Sequence, residues 1–156
     1  ITVFPRDDEG LHLWDYQLKG YLKGAVKLLG ARVPGRRAGG SASAITDLQS
    51  RLWVFGDARG GRRIPLLRDG ARILETDTEL TRPLRADTPR GQRVSIAVSE
   101  ALSPPVSATF LLAGIRGGRI TTELIEELLA VGQFGGLGRW RSRGLGRLVA
   151  DVREVR

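Results

Sequence analysis

The stretch "TTELIEELLAVGQFGGLGRWRSRGLGRLVADVREV", residues 121–155, predicts a helix, a glycine-rich loop and a closing strand, in that order. Either Thr121 or Thr122 can cap the helix, because a hydroxyl in that position accepts a hydrogen bond from an amide of the first turn. The segment "GRLVADVREV" alternates apolar and polar residues, which is typical of a strand. Upstream, "VSATFLLAGI" (106–115) predicts a buried strand that leads into the helix.

A second helix is predicted from Asp15, which can cap its start, to the residue before Gly30, which can end it. Its apolar residues recur at helical spacing and form one face: Leu18, Tyr21, Leu22, Ala25, Val26 and Leu29. Lys19, Lys23 and Lys27 form a second stripe with a spacing of four residues. Considered alone, this stripe is interpreted first as a solvated helix face, and phosphate contact is the alternative.

Strand pairs fill most of the remaining chain, and turn sequences separate them. "ITVF" and "LHLW" flank the turn segment "PRDDEG" (5–10), and "RLWVF" (51–55) and "RIPLL" (63–67) flank a glycine turn. A short helical turn is predicted before "RLWVF", and "ARVPGRRAGGSAS" (31–43) predicts a flexible basic loop. Residues 72–102 predict a long hairpin whose turn is "TPRG".

Two helices among antiparallel hairpins predict a single α+β domain over residues 1–156. We expect an antiparallel sheet with both helices on one face and a projecting β-hairpin, which is the ferredoxin-like (RRM-like) arrangement. The sequence starts at Ile1 and contains no methionine, so we expect that residues upstream are missing from it.

The charge of the chain points to an anionic partner. Its formal net charge is +8 at pH 7, and nearly all of its 25 basic residues are arginines, whose guanidinium forks match phosphate. GC-rich coding or thermophily could also produce this excess of arginine. Clusters of arginine in the sequence are therefore better evidence for an anionic partner than the overall number. The absence of cysteine excludes thiolate metal sites, thiol nucleophiles and disulfides. No apolar stretch is long enough to span a bilayer, and we expect a cytoplasmic protein without a membrane partner.

Two motifs resemble the RAMP superfamily, the ferredoxin-like RNA-binding subunits of CRISPR effector complexes. The first is "GGLGRWRSRGLGRL" (135–148), a glycine-rich loop after an amphipathic helix, and the second is "LKG" within "LHLWDYQLKGYLKGA" (11–25). Four bulky residues precede this "LKG", where the family has small ones. Segments in the same order over nearly the whole chain also resemble a family of phage- and prophage-encoded RAMP-like proteins.

The resemblance implies that the glycine-rich loop lies close to a nucleic-acid strand, with its arginines on phosphates. Independently, glycines free backbone amides for phosphate oxygens, guanidinium groups add charge, and an exposed tryptophan can stack on a base. The alternative is that the glycines only shape a crossing and the tryptophan fills the core. The predicted loop contacts are Gly135, Gly136, Gly138, Arg139, Trp140, Arg141, Arg143, Gly144 and Gly146, and Lys19 and Lys23 are added from the first helix.

A second basic cluster lies at the tip of the long hairpin. We expect Arg82, Arg85 and Arg90 to project together and to contact nucleic acid or a neighbouring subunit, and Arg93 lies beside them. A charged hairpin tip can equally be a solvated one.

The sequence gives little support for catalysis or for a cofactor. His12 is the only histidine, and it alternates with leucines in a predicted strand, so a structural role is the first interpretation. Asp7 and Asp8 read as turn residues, and no metal site or nucleotide-phosphate motif is predicted. We therefore do not predict an enzyme, a catalytic residue, a metal or a cofactor.

Two functions from different classes follow. The first is a non-catalytic protein that binds single-stranded nucleic acid, RNA rather than DNA, and that assembles side by side along the strand as a homo-oligomer or within a larger complex. The second is a phage-encoded structural or interaction protein that uses a RAMP-like fold to bind another protein. Fold alone does not decide between them.

Overall fold

The computed structural model describes residues 2–29, 40–89, 91–115, 120–138 and 144–155, and it is a mixed α+β structure with small antiparallel sheets. The described strands are β1 (Arg6–Asp7), β2 (Gly10–Trp14), β3 (Leu52–Phe55), β4 (Arg63–Pro65), β5 (Leu67–Arg68), β6 (Ala71–Arg72), β7 (Thr78–Thr88), β8 (Gly91–Ala101) and β9 (Leu111–Gly114). The described helices are α1 (Asp15–Leu29), α2 (Gly40–Arg51), α3 (Thr122–Ala130) and α4 (Gly132–Gly135). In this part of the chain, none of the helices combines the length and the apolar character that crossing a membrane requires.

The chain divides into two compact units. The first unit contains Ile1–Leu13 and Arg63–Thr109, and the second contains Trp14–Arg62 and Phe110–Arg156. The single RAMP-like domain over residues 1–156 and the ferredoxin-like arrangement both stay predictions.

The first unit is built from hairpins. Strands β1 and β2 pair antiparallel around a two-residue turn, so a hairpin is present, but its first strand is Arg6–Asp7, inside the predicted turn segment, rather than "ITVF". Strand β4 pairs on the other side of β2. Strands β7 and β8 pair antiparallel from Thr78↔Ala101 to Thr88↔Gly91, which confirms the long hairpin. The core of this unit is small and consists of Leu11, Leu66 and Ile73.

The second unit has the larger core, to which α1, α2 and α3 each contribute an apolar face. The predicted stripe of α1 is confirmed, because five of its six residues are buried and Leu29 is half-buried. The Tyr21 hydroxyl donates to the carbonyl oxygen of Leu128 at 2.9 Å, which ties α1 to the end of α3. Thr121 caps α3, because its Oγ1 accepts from the amide of Leu124 at 3.2 Å.

Three sequence predictions are wrong in this unit. Helix α2 starts at Gly40, so residues 40–43 are helical rather than part of the basic loop, and the helix has 12 residues because Ala44 and Leu48 bury one face in the core. The predicted buried strand at 106–115 is reduced to β9, which pairs only with β3 and stays largely exposed. Residues 144–155 contain no strand: Leu148 and Val152 pack on the core, but no described strand pairs with the segment.

Candidate nucleic-acid interface

The glycine-rich loop leaves the body of the second unit through a hydrogen-bonded neck. The amide of Leu137 donates to the carbonyl oxygen of Gly146 at 2.7 Å, so the two sides of the loop meet directly. Below them, the amides of Gly136 and Leu148 both donate to the carbonyl oxygen of Gly132, at 3.2 and 3.0 Å. The segment between Leu137 and Gly146 is therefore anchored at both ends.

Two of the loop glycines are required by this neck itself. Gly136 has φ +63°, and a Cβ there would lie 2.7 Å from the carbonyl oxygen of Leu145. Gly146 has φ +72°, and a Cβ there would overlap the carbonyl oxygen of Leu137. Both positions combine a backbone conformation that L-residues avoid with a close backbone approach. Their glycines are explained without any ligand.

At two other glycines, no described backbone makes a close approach. A Cβ at Gly138, where φ is +93°, would meet no atom of a described residue within 4 Å. At Gly144, with φ +78°, the nearest atoms belong to the flexible Arg147 side chain, at 3.4 Å or more. Gly135 is different, because a Cβ there would lie 3.3 Å from Leu28. Gly138 and Gly144 are therefore the loop glycines whose backbone a nucleic-acid strand could approach.

Arg139, Trp140, Arg141 and Arg143 lie outside the described residues. Two side chains that the sequence did not single out flank the loop. Phe134 precedes it with 81% of its surface exposed, and Arg147 follows it and is also exposed. The signal for Phe134, which lies in α4, was available, because it falls outside the helical spacing that continues from the buried residues of α3.

The lysine stripe belongs to the same unit as the loop. Lys19 and Lys23 are half-buried and Lys27 is exposed. The Lys19 Nζ donates to the backbone oxygen of Gln49 at 2.9 Å, and its desolvation, together with the nearby Lys23, lowers the pKa of Lys19. The end of α1 lies near the start of the loop, since a Cβ added to Gly135 would be 3.3 Å from the Leu28 side chain. The structure thus brings the lysines and the glycine-rich loop onto one unit.

The hairpin arginines do not act as one group. Side chains alternate between the faces of a strand, and the pairings Arg82↔Ala97 and Ala86↔Arg93 place Arg82 and Arg93 on one face of the hairpin. Arg85 lies on the opposite face. The prediction that Arg82 and Arg85 project together is therefore wrong, and Arg90 lies outside the described residues.

The Arg85 face of the hairpin is partly apolar. Its cross-strand pairs include Pro83↔Ile96 and Arg85↔Val94, and the Ile96 side chain is exposed over 69% of its surface. Val94 is also exposed. This hairpin belongs to the first unit, whereas the glycine-rich loop belongs to the second.

His12 is held inside the first unit. Only 2% of its surface is exposed, and its Nδ1 lies 3.7 Å from Oδ2 of Asp7, which is itself 2.8 Å from Nη1 of Arg63. Partial desolvation raises the pKa of Asp7, but the amide of Glu9 and the Arg63 guanidinium outweigh it and hold that pKa below its usual value. Within the described ranges, no group of three or more metal-ligating side chains comes together.

Comparisons of the chain with models of known families, with curated proteins and with solved structures found no match. The resemblance to the RAMP superfamily therefore stays a prediction.

Proposed function

We propose that this chain is a non-catalytic, RAMP-like protein that binds single-stranded nucleic acid through the glycine-rich loop and the lysine stripe of α1. RNA is the strand that we favour, in a cytoplasmic protein without a membrane partner. The proposal includes a ferredoxin-like arrangement and side-by-side assembly along the strand, as a homo-oligomer or within a larger complex.

The observation that carries the proposal is the contrast among the loop glycines. Gly136 and Gly146 are accounted for by the neck, but Gly138 and Gly144 are not in contact with a described backbone. Gly138 and Gly144 also have positive φ, which by itself favours glycine, but no described backbone closely approaches them, so a ligand can reach the backbone at both positions. A phosphate can use it, because exposed amides in such turns form anion-binding concavities.

Charge supports the same partner. Three arginines lie in the sequence between Gly138 and Gly144, and α1 carries three lysines but only one acid, Asp15. Arg62 holds that carboxylate in a two-bond ion pair, at 3.0 and 3.2 Å. The helix therefore presents a net positive face to a polyanion.

The test compares two variants that lose the same charge. One is R139Q/R141Q in the loop, and the control is R59Q/R153Q, whose arginines are exposed in the same unit and lie outside the loop sequence. Fluorescence anisotropy with a labelled single-stranded RNA of mixed sequence measures the affinity from low to moderate salt. The loop variant should bind more weakly, and its salt slope should flatten by about 0.7 for each phosphate that the protein no longer neutralises.

The control variant should keep the wild-type slope, apart from a small uniform loss of affinity. If both variants show the same affinity and slope, the loop does not bind the strand and the proposal fails. The same titration with single-stranded DNA of identical sequence tests the preference for RNA, which predicts weaker binding of the DNA.

A second candidate function rests on the hairpin. Val94 and Ile96 form an exposed apolar pair on one face, which favours a protein partner for a phage-encoded structural or interaction protein. An apolar interface depends little on salt, whereas phosphate binding weakens steeply as salt rises. Binding of a partner that persists at high salt and is lost in I96S would support this second function.

A further inference from the structure

Two aromatic rings stack where β2 passes into α1. The ring centroids of Trp14 and Tyr16 are 6.4 Å apart, and their planes differ by 12°. Tyr16 is 58% exposed, whereas Trp14 is half-buried. The other tyrosine, Tyr21, is buried and its hydroxyl is hydrogen-bonded. Tyr16 is therefore a tyrosine displayed at the surface and supported from one side by a larger ring.

The backbone of this corner is fixed by three hydrogen bonds. The Trp14 amide donates to Oε1 of Gln17 at 2.7 Å, and the Tyr16 amide donates to Oδ1 of Asp15 at 2.8 Å. The amide of Asp15 donates to the carbonyl oxygen of Arg62 at 2.9 Å. A ligand that stacks here meets a preorganised backbone, so little ordering entropy opposes its binding.

The charge of the corner suits a ligand that carries phosphate. Arg62 pairs with Asp15 through two hydrogen bonds, which raise the pKa of Arg62 and neutralise the only carboxylate of α1. The Arg62 side chain is still 66% exposed. Lys19 follows one helical turn after Asp15, so cations flank the aromatic pair.

We propose that Tyr16, supported by Trp14, is a stacking site for an unpaired base of the bound strand. The inference rests on the proposed function and extends it, since it adds a base contact to the phosphate contacts. Aromatic faces stack on any base, which fits a strand bound without sequence preference. We assign the occupant as a nucleobase rather than an apolar side chain, because Lys19, about one helical turn from Tyr16, can pair with a phosphate of the same strand.

Helix α1 connects this site to the glycine-rich loop. An α-helix turns by about 100° and rises about 1.5 Å per residue. Tyr16 and the three lysines therefore lie within about 80° of the helix circumference, and Lys27 lies about 16 Å from Tyr16 along the helix axis. Leu28, the next residue, lies near Gly135 at the start of the loop, since a Cβ added to Gly135 would be 3.3 Å from its side chain. A strand that follows this face would place a base on Tyr16, phosphates on the lysines and its next segment on the loop.

The experiment uses single-stranded RNA that carries 2-aminopurine, whose fluorescence is quenched when it stacks on an aromatic ring. Wild type and Y16F should quench the probe and bind equally, because phenylalanine keeps the aromatic face. Y16L keeps apolar bulk against Trp14 but has no such face, so quenching should fall to the level that Trp140 in the loop provides, and binding should be about five- to 150-fold weaker. Its salt slope should not change, because the protein still neutralises the same phosphates.

The matched control is W53L, which removes an exposed tryptophan from β3 in the same unit and should leave binding and quenching unchanged. A strand of abasic sites provides a second measurement on the unmodified protein. Wild type should bind it as weakly as Y16L binds the normal strand, and Y16L should show no further loss.

The outcomes separate the two proposals. If wild type does not bind single strands, the proposed function fails and the stacking site fails with it. If wild type binds and Y16L retains both affinity and quenching, the stacking site is overturned while the proposed function stands. Equal loss of affinity for normal and abasic strands in Y16L would also overturn it, because the ring would then act on something other than a base.

Discussion

Replacing Gly136 by alanine should destabilise the second unit more than the same replacement at Gly138. Both residues have positive φ, +63° and +93°, so alanine is strained by about 1–2 kcal/mol at either position. At Gly136 the new Cβ would also lie 2.7 Å from the Leu145 carbonyl oxygen, and relieving such an overlap costs about 1–3 kcal/mol more. At Gly138 no described atom lies within 4 Å.

We therefore expect the free energy of unfolding to fall by about 2–5 kcal/mol in G136A and by about 1–2 kcal/mol in G138A. Urea unfolding followed by tryptophan fluorescence measures this difference, because all three tryptophans fall within the residue range of the second unit. An equal loss of stability in the two variants, or a larger loss in G138A, would show that the neck is not closely packed. The distinction between glycines that the neck requires and glycines that it does not would then be wrong.

The remaining predictions concern the first unit. Hydrogen bonds from Arg68, and then from a backbone amide, lower the pKa of Asp77 from 3.8 to about 2, so the folded state favours the charged carboxylate. This contribution to stability is complete above pH 3.8 and is lost as the pH falls through about 2; D77N should lack that acid dependence in urea titrations followed by circular dichroism, and identical profiles would contradict the assignment. In the hairpin, R85E and R93E reverse charges on opposite faces, so if one face contacts nucleic acid or a neighbouring subunit, only one of them should weaken binding or assembly, with little change in melting temperature. Equal effects, or a loss of folding, would refute this division of the faces.

Local patterns predicted the elements that are governed by local physics. The spacing from Leu18 to Val26 identified the buried face of α1, and the hydroxyl of Thr121 identified the start of α3. The turn sequence located the long hairpin. Side chains alternate between the two faces of a strand, so residues three positions apart point to opposite faces. The sequence alone therefore implied that Arg82 and Arg85 lie on opposite faces of the hairpin.

Elements that depend on tertiary partners could not be predicted in this way. The closing segment alternates like a strand, yet Leu148 and Val152 pack on the core and no described strand pairs with it. Strand β9 is apolar but largely exposed, and among the described strands it pairs with β3 alone. The Trp14–Tyr16 stack depends on how β2 meets α1, which residue spacing alone does not give.

The central claim is that the second unit binds a single strand through the glycine-rich loop and α1. Photo-crosslinking of the protein to single-stranded RNA that contains 4-thiouridine, followed by mass spectrometry of the peptides, tests it most directly. We predict crosslinks in peptides from residues 134–147 and from the exposed face of α1, including Tyr16. Crosslinks confined to β7 and β8, or none in a protein that binds the strand, would contradict the account.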